Sequence, residues 1–186
     1  MRLPLYLDVV IASWAVFVIV WAVMAAGMKK TRKGSLGPWF MRVLVAAVVI
    51  VIVEPGRFGH GVRLARSGPA RGWIAAALVA GGIGLAIWAR TIMGRNWGMP
   101  MSVKQDTEIV SAGPYARIRH PIYTGMFVAL VGSCLLAGSA WFAVCVAVAA
   151  YFFISARTEE RHLLRELPDT YGPYMARTKM FVPFVV

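Results

Sequence analysis

Long apolar runs separated by short polar stretches set the pattern of this chain. The runs cover residues 5–28, 38–53, 72–89, 122–137 and 139–154, and charged residues collect between them and after the last one. A straight helix needs about 20 residues to cross the hydrocarbon core of a bilayer. The first and third runs reach that length, and the other three reach it with help from their flanks. Arg42 interrupts the second run close to one end, from where its long side chain can reach the interface. The fourth and fifth runs meet at Gly138-Ser139, a turn that fits only an antiparallel helical hairpin. The pattern predicts an all-α integral membrane protein with about five transmembrane helices.

The fifth helix is expected to outrun the membrane. Residues 140–167 contain neither proline nor glycine, and a helix of that length spans about 42 Å at 1.5 Å per residue. The hydrocarbon core is only about 30 Å thick. The last turns therefore project from the bilayer as a helical extension, and Pro168 stops the helix. No repeat or low-complexity linker divides the chain. It reads as a single membrane-embedded domain over 1–186, with three spans in 1–90 and the polar-rich half in 91–186.

Composition agrees, with 59% hydrophobic and only 15% charged residues, against about 45–50% and 25% in soluble domains. The net charge of +12 has a simpler source than nucleic acid, because lysine and arginine gather on the cytoplasmic side beside anionic lipids. With the amino terminus outside, segments 29–33, 90–119 and 157–179 lie inside. These hold 14 of the 20 basic residues; five lie outside and Arg42 falls within a span. The positive-inside rule favours that orientation. The first apolar run is too long, and its leading segment too weakly basic, for a cleaved signal peptide. Cys134 and Cys145 have no CxxC spacing and read as small core residues.

Several motifs suggest chemistry. GGIGLA at 81–86 lacks the strand that a dinucleotide fingerprint requires. The four-residue spacing of Ala76, Ala80 and Gly84 suits close helix packing in lipid instead. Glu159-x-x-His162 has a metal-motif spacing, but such sites need the motif twice with further carboxylates. With eight acidic residues in the chain, no metal is expected. At His120-Pro121, proline suits the first helical position and histidine the N-cap. The first-turn N–H groups then form an anion-binding mouth, to which Arg117 and Arg119 add charge and Tyr115 and Tyr123 offer rings. An interfacial belt of aromatic and basic residues explains the same cluster equally well. Glu159-Glu160 is costly on an anionic lipid surface. It is either part of a self-paired face with Arg157, Arg161 and Arg165, or one glutamate turns inward to hold a cation.

GPYARIRHPIYTG at 113–125, RTEERHLL at 157–164 and YGPYMARTKMFVPF at 171–184, together with GRNWG at 94–98, resemble the isoprenylcysteine carboxyl methyltransferase family and its bacterial relatives. The shared features are Arg119-His120-Pro121, Tyr123 and Gly125; Glu159-Glu160 with Leu163; and Tyr171, Tyr174 and Pro183. They cover roughly residues 94–184. The resemblance implies a membrane methyltransferase that uses S-adenosyl-L-methionine, with cofactor entering from the cytosol and a lipophilic or lipidated substrate arriving between helices. It makes residues 91–186 the catalytic half, with a cofactor pocket formed by Glu108, Ile109, Val110, Tyr115, His120, Pro121, Tyr123 and Glu159. Arg157 and Glu159 are the implied catalytic residues. Carboxyl methylation of an isoprenylcysteine-like group is the leading expectation. Alternatives are methylation of a phospholipid amine or a thiol, a nicotinamide-dependent sterol-type reductase, or a non-enzymatic membrane protein. The alanine- and valine-rich composition points to the cytoplasmic membrane of a prokaryote, with the site facing the cytosol.

Overall fold

The computed structural model describes residues 3–25, 31–33, 68–94, 103–104, 109–137 and 140–183. Helix α1 covers Leu5–Ala25, α2 Pro69–Met93, α3 Pro121–Ala137, α4 Ala140–Glu166 and α5 Pro168–Arg177. A 3-10 turn at Gly113–Ala116 precedes α3. One short antiparallel pair joins β1, Thr31–Lys33, to β2, Val103–Lys104. The remaining regular structure among the described residues is helical. Helices α1, α2 and α4 are long and apolar enough to cross a membrane, and α3 is a shorter apolar helix. Four of the five expected apolar runs are thus helices. The run 38–53, with Arg42, lies outside the described residues.

Helices α2 and α3 pack most closely, because small residues let their backbones meet. A Cβ added at Gly125 would lie 2.5 Å from the Gly82 carbonyl oxygen and 2.8 Å from the Ala86 nitrogen. One added at Gly132 would lie 2.8 Å from the Ala75 oxygen. Small-residue packing was expected on α2, but its register needs correction. The contact face is Ala75, Val79, Gly82 and Ala86, while Ala80 is exposed and Gly84 faces open space. Ala76 is buried with Tyr6, Leu7 and Leu136 instead. Two stripes of small residues coexist on this alanine- and glycine-rich helix, and only the partner helix determines which is used.

Helix α1 joins through an aromatic ladder. Trp14 meets Phe17 edge-on and Phe17 stacks on Trp21 at 4.3 Å. The Trp14 indole also donates to Ser133 Oγ of α3 at 3.1 Å. Arg90 was expected in a cytosolic loop. It is instead buried in the last turn of α2, where it donates to the carbonyls of Gly94 at 2.6 Å and Met24 at 3.0 Å. The helix therefore runs four residues past its apolar stretch, since an arginine in the last turn satisfies carbonyls that a helix end leaves open. Cys134 and Cys145 are core residues, as expected, but they also pair with each other as a disulfide across α3 and α4.

Pro168 both ends α4 and opens α5, since its fixed φ and absent N–H suit a first helical position. Beyond α5 the chain turns back along the segment preceding α3, with Ile118 and Lys179 forming a parallel bridge. This return brings the carboxyl-terminal strap, residues 178–181, against the mouth of α3.

Candidate active site

Three chain segments meet at the amino-terminal end of α3. The helix begins at Pro121, as the His120-Pro121 pair implied, and the Thr124 N–H donates to the His120 carbonyl at 3.1 Å. The imidazole of His120 is buried and stacks on Tyr123, centroids 5.5 Å apart and planes 7° apart. Tyr123 in turn stacks on Phe152 of α4 at 4.9 Å and 9°. Packing of three parallel rings thus fixes His120 against α4, at a ring about two turns before the paired glutamates.

The glutamates have separate surroundings. Glu160 accepts from Arg119 Nε at 2.6 Å, and both side chains are largely buried. The same Oε1 lies 3.3 Å from His120 Nε2. Glu159 accepts from the Tyr123 hydroxyl at 2.7 Å, and its Oε2 lies 3.8 Å from His120 Nδ1. Its side chain remains 26% exposed against 7% for Glu160. Of the two readings left open by the sequence, one glutamate turned inward to hold a cation describes Glu160, which engages Arg119, while Glu159 stays partly exposed.

The strap and α5 close one side. Lys179 and Met180 carbonyls accept from the Arg119 and His120 N–H groups at 2.8 and 3.1 Å, and the Lys179 N–H donates to the Arg117 carbonyl at 3.0 Å. Thr124 Oγ1 donates to the Phe181 carbonyl at 2.9 Å. The Tyr174 hydroxyl donates to the Tyr115 carbonyl at 2.9 Å, fixing α5 to the 3-10 turn. Burial pushes the Tyr174 phenol up to about 12, and raises Tyr115 and Tyr171 as well. All three stay neutral donors near pH 7.

His120, Pro121, Tyr123 and Glu159 therefore converge, and Tyr115 is buried in the adjoining turn with its hydroxyl 3.8 Å from Met93 Sδ. Ile109 and Val110 are half-buried, and Val110 packs against the main core. Glu108 lies outside the described residues. Arg157 is exposed, with its guanidinium 5.3 Å above the Phe153 ring. Two helical residues subtend about 200°, so Arg157 occupies a different flank of α4 from Glu159. The sequence marks Arg119 as added charge and as part of the Arg-His-Pro motif, without its contact to Glu160. Its position in the shared Arg-His-Pro motif was the signal for a closer role. No group of three or more potential metal ligands occurs among the described residues.

The arrangement of the helices is similar to that of a solved intramembrane methyltransferase. The chain superposes on the eukaryotic Ras methyltransferase ICMT with a TM-score of 0.61 at 21% identity, covering 97% of this chain and 65% of that one. The fold is thus that of an integral-membrane methyltransferase. A family model described as phospholipid methyltransferase matches residues 70–170, and the chain belongs to that family. The nickel-cobalt-cadmium resistance protein NccN of Alcaligenes xylosoxydans xylosoxydans is 34% identical over 151 residues, 80% of this chain and 64% of that protein. The protein-S-isoprenylcysteine O-methyltransferase of Schizosaccharomyces pombe is 30% identical over 83 residues, 44% of this chain and 35% of that protein. The chain thus spans less than two thirds of the length of these relatives. The resemblance to isoprenylcysteine carboxyl methyltransferases read from the sequence is borne out.

Proposed function

We propose that this protein transfers a methyl group from S-adenosyl-L-methionine to a lipophilic substrate at the cytosolic edge of the membrane, with a carboxylate of an isoprenylcysteine-like group as acceptor. The division of labour between Glu159 and Glu160 carries the reading. Arg119 engages Glu160, while Glu159 stays partly exposed beside two stacked rings. A half-open carboxylate against aromatic faces fits an ammonium or sulfonium group. The start of α3 fits the cofactor's carboxylate, because helix geometry leaves the Ile122 and Tyr123 N–H groups without an intrahelical acceptor. The residues present therefore fit the cofactor.

When bound, S-adenosyl-L-methionine supplies an electrophilic methyl group on a cationic sulfur. The protein's own contribution is binding and alignment, for which well-oriented geometry is worth about 7–11 kcal/mol. Glu159 holds the cationic part of the cofactor, and Tyr123 fixes the rotamer of Glu159. The rings of His120, Tyr123 and Phe152 keep water from that side of the site. Arg157, exposed on a different flank of α4 from Glu159 with its guanidinium over Phe153, is the candidate to bind an acceptor carboxylate. Such a carboxylate, with a pKa of about 4, needs no general base at neutral pH. An ammonium acceptor would need one, yet Glu160 is already engaged by Arg119, and its Oε1 also faces His120 Nε2. This favours the carboxylate.

The family match over residues 70–170 favours a second reading, in which a phospholipid amine is the acceptor. Vesicles containing the purified protein, methyl-labelled cofactor and either a prenylated cysteine or phosphatidylethanolamine separate the two. A methyl ester releases labelled methanol in alkali, whereas an N-methyl group does not. Alkali-labile label that requires the prenylated cysteine is the expected result. Alkali-stable label in the phospholipid selects the second reading, and label in neither acceptor contradicts both.

A further inference from the structure

We propose that Arg119 is a positioning residue that clamps the carboxyl-terminal strap and Glu160 into one wall, so that the cofactor site is complete only with the strap seated. The inference rests on the functional reading above. Its starting point is the reach of a single side chain. Nε donates to Glu160 Oε1 on α4 at 2.6 Å, while NH1 donates to the Met175 and Thr178 carbonyls at the end of α5. These acceptors lie 41, 56 and 59 residues away in sequence. The Arg119 main chain adds its N–H to the Lys179 carbonyl.

What the clamp holds is next to the reacting groups. The strap carries Phe181, whose ring stands 5.9 Å from His120 and 6.5 Å from Phe153. Glu160 presents to His120 Nε2 the same oxygen that it presents to Arg119. Releasing Arg119 therefore frees the wall behind His120 and the carboxylate beside it together. A planar guanidinium serves several acceptors in fixed directions, which a lysine ammonium on a flexible stem does not reproduce. The strap is thus part of the site, and Arg119 acts on the cofactor without touching it.

The test compares Arg119→Gln and Arg119→Lys with the unaltered chain in detergent, using amide hydrogen exchange and S-adenosyl-L-methionine titration. Both variants should show at least tenfold faster exchange at Lys179 and His120, whose N–H groups bond between the strap and the start of α3, with the α2–α3 core unchanged. Both should also bind cofactor at least tenfold more weakly, lysine failing to restore it. Unchanged strap exchange in Arg119→Gln, full recovery by lysine, or equal loss of protection in core and strap would each overturn the clamp. If the unaltered chain binds no cofactor, the functional reading fails on its own, and strap exchange still decides whether Arg119 holds the wall.

Discussion

Tyr123 shows how much a single hydroxyl can decide. Its ring is one member of the His120–Tyr123–Phe152 stack, and its hydroxyl orients Glu159. Tyr123→Phe keeps the stack and removes only the donor. Because Glu159 stays partly exposed, water can replace the lost donor and the melting temperature should change little, while a carboxylate no longer held in place should bind cofactor about tenfold more weakly in a titration. Arg90 behaves in the opposite way. Arg90→Met withdraws the donors serving the Gly94 and Met24 carbonyls, and a buried polar group left unpaired costs about 1–3 kcal/mol. Thermal unfolding in detergent should reveal that loss as a lower midpoint. Neither role was legible from composition. Glu159-Glu160 and His120-Pro121 were visible as motifs, but the assignment of Arg119 to Glu160 depends on a contact across 41 residues.

Among the helices, the tightest constraint is the α2–α3 crossing. Gly125→Ala would place a methyl group 2.5 Å from the Gly82 carbonyl oxygen, and overpacking of this kind costs about 1–3 kcal/mol. Gly84→Ala, on the same α2 helix, meets nothing within 4 Å and should leave stability unchanged or slightly raised. A paired thermal-unfolding measurement on the two variants checks the register directly. The sequence displayed the small residues but offered two equivalent stripes, and lipid-facing surfaces are as apolar as buried ones. Helix existence was therefore readable from the apolar runs, and the packing face was not. The contact of α5 with the 3-10 turn adds a pH dependence. Tyr174 is raised from 10.0 to about 12 by burial, so its stabilising effect is complete below about pH 10 and lost as pH rises through about 12. Alkaline unfolding of the protein should steepen in that window, and Tyr174→Phe should remove part of the dependence.

At the scale of the whole molecule, the four apolar helices among the described residues end against a strap-covered polar cluster, and that cluster is assembled from segments 115–124, 152–160 and 174–181. The apolar runs predicted the helices, and the three motifs named the segments that meet. What they did not contain was the return of the chain after α5, which rests on backbone bonds that any residues could make, together with the Arg119 and Thr124 side chains that hold the strap. The arrangement places one half-open carboxylate beside aromatic rings at the end of a membrane bundle, and the account depends on that carboxylate binding a cation. Calorimetric titration of the purified protein with S-adenosyl-L-methionine, alongside Glu159→Gln and an NADPH control, tests this most directly. Saturable binding is expected, at least tenfold weaker in Glu159→Gln, with no response to NADPH. Folded protein that binds no S-adenosyl-L-methionine, or that binds it equally well without the Glu159 charge, would contradict it.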